Sequence, residues 1–193
     1  MEADWEVEVG GGAPVIDAAW AGLVDLRLDP GLAHELTEAA QFPALGRALA
    51  TLNSSGSPVS TSKCDVWTLV DPADWSPDEL NAPVKCAAHA VGCYIDLLPA
   101  SGGQWNVPET ASESCKRLCA RLHSVPLRCC RADLVIRQAN RGHVELELGI
   151  TAYLTGCGAT ADEAAQVLGT ALHAFADAVL AACVPAAASS KLQ

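Results

Sequence analysis

From His143 to Leu154 polar and apolar residues alternate. Val144, Leu146, Leu148, Ile150, Ala152 and Leu154 share one side; Glu145, Glu147, Gly149, Thr151 and Tyr153 share the other. A period of two marks a strand with one buried face. Residues 131–138 (RADLVIRQ) supply a partner strand, and Asn140-Arg141-Gly142 has the chemistry of a three-residue hairpin loop. Such a turn sets 138 opposite 144, 136 opposite 146 and 134 opposite 148. Leu134 and Ile136 then join the buried side, and Arg137 faces Glu145 on the exposed one.

The period changes after Gly158. Thr160-Ala161-Asp162-Glu163 reads as a capping box, and Leu168, Leu172, Phe175 and Val179 recur at helical spacing to about residue 183. The same order is read upstream. Residues 64–70 and 87–98 alternate as strands, Thr110-Ala111-Ser112-Glu113 is a second capping box, and Ala111, Cys115, Leu118, Cys119 and Leu122 form a helical stripe. At the start, 4–9 (DWEVEV) and 22–28 (GLVDLRL) read as strands, Asp29-Pro30 opens a helical region, and Pro43 breaks it.

The expected fold is α+β: an antiparallel sheet with helices on one face, built from about three β-β-α units at 1–55, 56–125 and 126–185. Residues 1–185 are expected to form one domain, and 186–193 a flexible Ala/Ser-rich tail. The acidic, Pro-containing stretch 71–86 reads as a surface loop or lid. The later part of the chain, helix–strands–helix–two strands–helix with an acidic balance, is similar in layout to small acidic secretion chaperones. That resemblance implies a partner-binding role and rests on element order alone.

Composition narrows the functional classes. Twelve Lys+Arg against 23 Asp+Glu give a formal net charge of −11, which disfavours nucleic acid as a partner. The apolar stretch 163–184 carries Glu163, His173 and Asp177 and reads as a buried helix, so no membrane partner is expected. An acidic N-terminus and an odd count of nine cysteines suggest reduced thiols in a cytoplasm. There is no GxGxxG, phosphate-loop, HExxH, GxSxG or CxxC motif.

Three constellations could carry chemistry. Cys115, Cys119 and His123 climb one helix face and could hold zinc, although the two cysteines also belong to the apolar stripe. Laying the hairpin register over the middle unit puts Cys64 across from Cys93, with His89 pointing inward. That pattern suits a nucleophile with its base, a metal half-site, or a core histidine among small thiols. The opposite sheet face would carry Asp65, Trp67, Tyr94, Asp96 and Tyr153. Seven of the twelve basic residues, Arg131 and Arg137 among them, fall in 116–141. They could meet a small anionic ligand, an acidic protein, a second subunit, or the chain's own acidic 2–8 and 71–79. Since no catalytic set is complete and no cofactor is called for, the expectation is a non-catalytic interaction module acting as a homodimer. A Cys/His enzyme or metal protein is the alternative.

Overall fold

Wherever the chain alternates over a long stretch and finds a neighbour, it forms sheet. The computed structural model describes residues 1–18, 20–71, 74–100, 105–142 and 147–182. Among these, β1 (Glu2–Glu8), β2 (Ile16–Asp17), β3 (Val59–Leu69), β4 (His89–Pro99), β5 (Cys130–Asn140) and β6 (Glu147–Gly158) form one sheet. Its order is β1-β5-β6-β4-β3, with β2 also on β5. The protein is therefore α+β, as expected, but the sheet is mixed. β1 and β2 run parallel to β5, and the other pairings are antiparallel.

Helices α1 (Thr37–Gln41), α2 (Pro43–Leu52), α3 (Pro108–His123) and α4 (Ala161–Ala182) complete the fold. α4 crosses β6 and β4, α3 lies on β1, and α2 packs against α4. Their inward stripes meet Ile95, Leu97, Leu134, Ile136, Ile150 and Leu154, all nearly or wholly inaccessible. Gly156 lets α4 come this close. A Cβ there would stand 2.7 Å from the Leu168 backbone nitrogen. α4 spans 22 residues and is long and apolar enough to cross a membrane by length and composition. Its Leu168, Leu172, Phe175 and Val179 are buried in the sheet-facing core.

The capping readings divide. At α4 the Glu163 N–H donates to the Thr160 hydroxyl at 3.2 Å, and the Glu163 carboxylate accepts from the Ala159 N–H at 2.9 Å. α3 instead starts at Pro108, two residues before the expected Thr110 cap. Proline's fixed φ suits the first helical position, and the Thr110 hydroxyl turns back to the Val107 carbonyl at 2.9 Å. Pro43 breaks the early helix as expected, heading α2 after the short α1.

Two strand expectations fail. Residues 22–28 form no strand, although they alternate. Among the described residues no neighbouring backbone completes a ladder, and Asp25 and Arg27 close on each other at 2.6 Å. The β5–β6 register is also shifted by four residues. Leu134 pairs with Ala152, Ile136 with Ile150 and Arg137 with Gly149, so the connection is longer than three residues. Leu134 and Ile136 keep the buried face because an even shift preserves side-chain parity. Glu145, the expected partner of Arg137, lies outside the described residues, as does the expected tail 186–193.

Candidate interaction face

The helices cover one face of the sheet. The other is partly framed by two irregular segments. At one end Ile16 packs with Leu98 and Ala139; at the other, residues of 74–88 pack through Leu80 onto Ala90 and Cys157. Between them run the outward residues of five strands.

A single line of side chains crosses that face. Trp67 on β3 stands 6.3 Å from Tyr94 on β4, ring centre to ring centre, with the planes 49° apart. Tyr94 stands 6.2 Å from its rung partner Tyr153 on β6, at 46°. These tilted geometries suit aromatic quadrupoles. Arg137 on β5 then donates to the Tyr153 hydroxyl at 2.8 Å and lies 5.6 Å from that ring's centre. Its other nitrogens reach Glu8 on β1 at 2.7 and 2.8 Å. All five long strands thus contribute one member.

Gly92 makes the first step possible. It pairs with Trp67 across β3 and β4, and a Cβ there would fall 2.9 Å from the indole ring. A side chain at 92 would lift the tryptophan off the sheet. Alternation alone does not mark this glycine, because its role depends on the register.

Asp65, Trp67, Tyr94 and Asp96 share this face as anticipated, yet their exposure differs. Trp67 is 37% exposed, whereas Asp96 is only 4% exposed. The Thr151 hydroxyl donates to the Asp96 carboxylate at 2.7 Å. Burial raises the Asp96 pKa, opposed by the Thr151 hydrogen bond and by the charges of Arg137 and Lys63. Burial, with Asp96 and Asp65 nearby, also pushes the Tyr94 phenol up to about 12, so it remains a neutral donor at ordinary pH. A cleft of about 330 Å³ opens beside this corner, lined by Trp20, Leu26, Glu38, Lys63, Asp65 and Tyr94 among others.

Arg131 anchors the other side of the face. It meets Asp133 at 2.7 Å and both Asp4 and Glu79 at 3.9 Å. Burial works against its charge, but these carboxylates outweigh that effect and its pKa is raised. The segregated basic segment therefore pairs with the chain's own acidic 2–8 and 71–79 segments at Arg131, and with 2–8 again at Arg137. Lys116 stacks on Trp5 at 5.7 Å.

The Cys/His constellation does not assemble. Cys64 pairs with Ile95, and Cys93 with Val66, two residues away from the expected register. A shift between Thr61 and Cys64 interrupts the β3–β4 ladder. Both cysteines keep the helix-facing side, where burial pushes the Cys64 thiol up to about 12 and raises Cys93 as well. Thiols held protonated are poor nucleophiles. His89 is exposed at the first residue of β4, opposite Gly158. It is four positions along the strand from Cys93, about 13 Å of chain. The inward placement expected for His89 is thus corrected, because it sits at the sheet's margin beyond the helices' cover.

Cys115 and Cys119 are buried in the core and His123 is exposed at the end of α3, so these three do not converge. Among the described residues, no group of three His, Cys, Asp or Glu is disposed to hold a metal ion. No protein-family model matches the chain, and neither a curated protein nor a solved structure matches it.

Proposed function

We propose that this protein is a non-catalytic interaction module whose helix-free sheet face is its interface, and that it acts there as a homodimer. The observation that carries the reading is the line Trp67–Tyr94–Tyr153–Arg137. It places aromatic surface and a partly shielded cation on the side of the sheet that no described helix covers. Aromatic residues and arginine are the residue types enriched where proteins meet. The rim supplies charge of both signs, with Glu6 and Glu8 exposed on β1 beside the strand of Arg131 and Arg137, and Asp65 exposed on β3 across the face. A twofold dimer would place acidic and basic groups of one copy against those of the other.

A related reading follows from element order. α2 precedes two strands, then α3, two strands and α4, the layout expected from the likeness to small acidic secretion chaperones. In that reading the same face receives an extended segment of another protein. A cytoplasmic location fits both readings. The β-β-α order within 56–125 and 126–185 supports related units there, and the first segment reaches the sheet differently.

Native mass spectrometry of protein purified without an affinity tag tests the proposal, together with metal analysis of the same sample. The expected result is a metal-free dimer whose population falls with dilution. A stoichiometric metal, or a monomer at high micromolar concentration, would remove the reading.

A further inference from the structure

Three cysteines outside the aromatic line meet at one end of the helix-free face. Cys157 lies beside Cys129 where β5 and β6 begin to pair, and the Cys157 amide donates to the Cys129 carbonyl at 2.8 Å. Cys86 comes from a 3-10 turn at Val84–Cys86, in which its own N–H donates to the Pro83 carbonyl at 2.7 Å. Two residues later the Ala88 N–H reaches the Gly158 carbonyl at 3.2 Å, which holds this turn against β6. Cys129 packs on the cluster that holds Cys157, and the 84–88 turn is tied to the next residue of β6, so Cys86 and Cys129 flank the same end of that strand.

The three positions are not equivalent. Cys157 is buried, whereas Cys86 and Cys129 are half-buried. Cys129 also has a φ of 62°, the left-handed region that side chains with a Cβ seldom adopt. Packing alone gives no reason for a strained backbone or for leaving two cysteines half-buried at the same strand end. Metal ligation is not supported either, since among the described residues no group of three His, Cys, Asp or Glu, these cysteines included, is disposed to hold a metal ion. Two neighbouring thiols, one on an added turn and one on the sheet, are placed for a covalent bond.

We propose that Cys86 and Cys129 form a reversible disulfide, made by exchange with a small-molecule disulfide of the glutathione type, that fastens the 84–88 turn to the start of β5. The Cys86 thiolate attacks one sulfur of the small disulfide and expels one small thiolate, leaving a mixed disulfide. The Cys129 thiolate then attacks the Cys86 sulfur, forms the protein disulfide and expels the second small thiolate. Two protein thiols are oxidised, one small disulfide is reduced to two thiols, and the protons lost by the cysteines balance those gained by the leaving groups. Cys157 remains a thiol. Burial pushes it up to about 12, with Cys129 beside it adding to the effect. Burial also raises Cys129, with Cys86 alongside, so exchange accelerates on the alkaline side of neutrality.

The test is exposure of the full-length protein to excess oxidised glutathione at mildly alkaline pH, then alkylation under denaturing conditions and non-reducing peptide mapping. Fragmentation must separate Cys129 from Cys130. Loss of two of the nine thiols and a Cys86–Cys129 cross-link are expected, both reversed by dithiothreitol. Cys86→Ser should retain every remaining thiol after the same treatment, whereas Cys129→Ser, with no resolving thiol, should stop at a glutathione adduct on Cys86. In the wild type, nine free thiols, a persistent glutathione adduct on Cys86, or a bridge that includes Cys157 would each overturn the proposal. The wild-type map decides it even if a serine variant does not fold.

Discussion

The two faces of this sheet are made from the same strands, yet they follow different rules. On the helix side Ile95, Leu134, Ile136, Ile150 and Leu154 are sealed under Leu168, Leu172 and Phe175. Every contact there removes apolar surface from water, and the energy is spread over many neighbours. On the other side each step is a specific pair: ring to ring, guanidinium to hydroxyl, guanidinium to carboxylate. Such pairs contribute little to folding, because water competes for them. The contrast teaches that the covered face determines whether the chain folds, and the uncovered face determines what a folded chain can meet.

The sharpest way to break this contrast is to truncate one large residue on each face. Phe175 is fully buried, so Phe175→Ala should destabilise by about 3–5 kcal/mol in urea unfolding. Trp67, still 37% exposed, should lose less on Trp67→Ala, about 2 kcal/mol from its partly buried area and its one ring pair. Similar losses from the two would show that the faces do not differ as described.

Gly92→Val probes the geometry of the uncovered face. The added side chain must displace the Trp67 indole, at about 1–3 kcal/mol, and the Trp67 fluorescence should change with it. Unchanged emission and stability would mean that Trp67 does not lie over Gly92. Arg137→Ala removes both the Tyr153 and Glu8 contacts and should cost about 1 kcal/mol by thermal or chemical unfolding, less at high salt. A salt-independent loss would assign its role to packing instead.

The smallest expected effect is the pH response of Asp96. Its folded pKa is raised above the reference 3.8, chiefly by burial, so between these values the folded state binds more protons than the unfolded one. Its penalty is fully present above the folded pKa and is relieved as pH falls towards 3.8. Asp96→Asn should remove this contribution, leaving the variant's advantage over wild type larger at neutral pH than near pH 4. Parallel stability curves for the two proteins across that range would contradict the assignment.

The sequence makes faces legible but not partners. Alternation at 131–138 and 147–154 places Leu134, Ile136, Leu148 and Ile150 correctly, because parity depends only on the strand itself. Pairing depends on the length of the connection, and the register moves by four when the turn is not the short one that Asn140-Arg141-Gly142 suggests. β3 and β4 show the same effect with a shift of two, where the ladder is irregular between Thr61 and Cys64. Each even shift leaves Trp67, Tyr94 and Tyr153 on the expected face, while the β3–β4 shift carries Cys64 two residues further from His89. Strand direction leaves no trace in a period of two. β1 therefore reads like any edge strand, although it runs parallel to β5 and brings Glu8 to Arg137. The alternating 22–28 stretch illustrates the converse, a pattern without a neighbour.

The central claim is that the helix-free face is an interface, and sedimentation velocity of wild type beside Trp67→Glu tests it most directly. The wild type should sediment as a dimer at high micromolar concentration. The variant, with an unchanged circular dichroism spectrum, should sediment as a monomer under the same conditions. A wild type that remains monomeric, or a Trp67→Glu dimer indistinguishable from it, would contradict the assignment of this face.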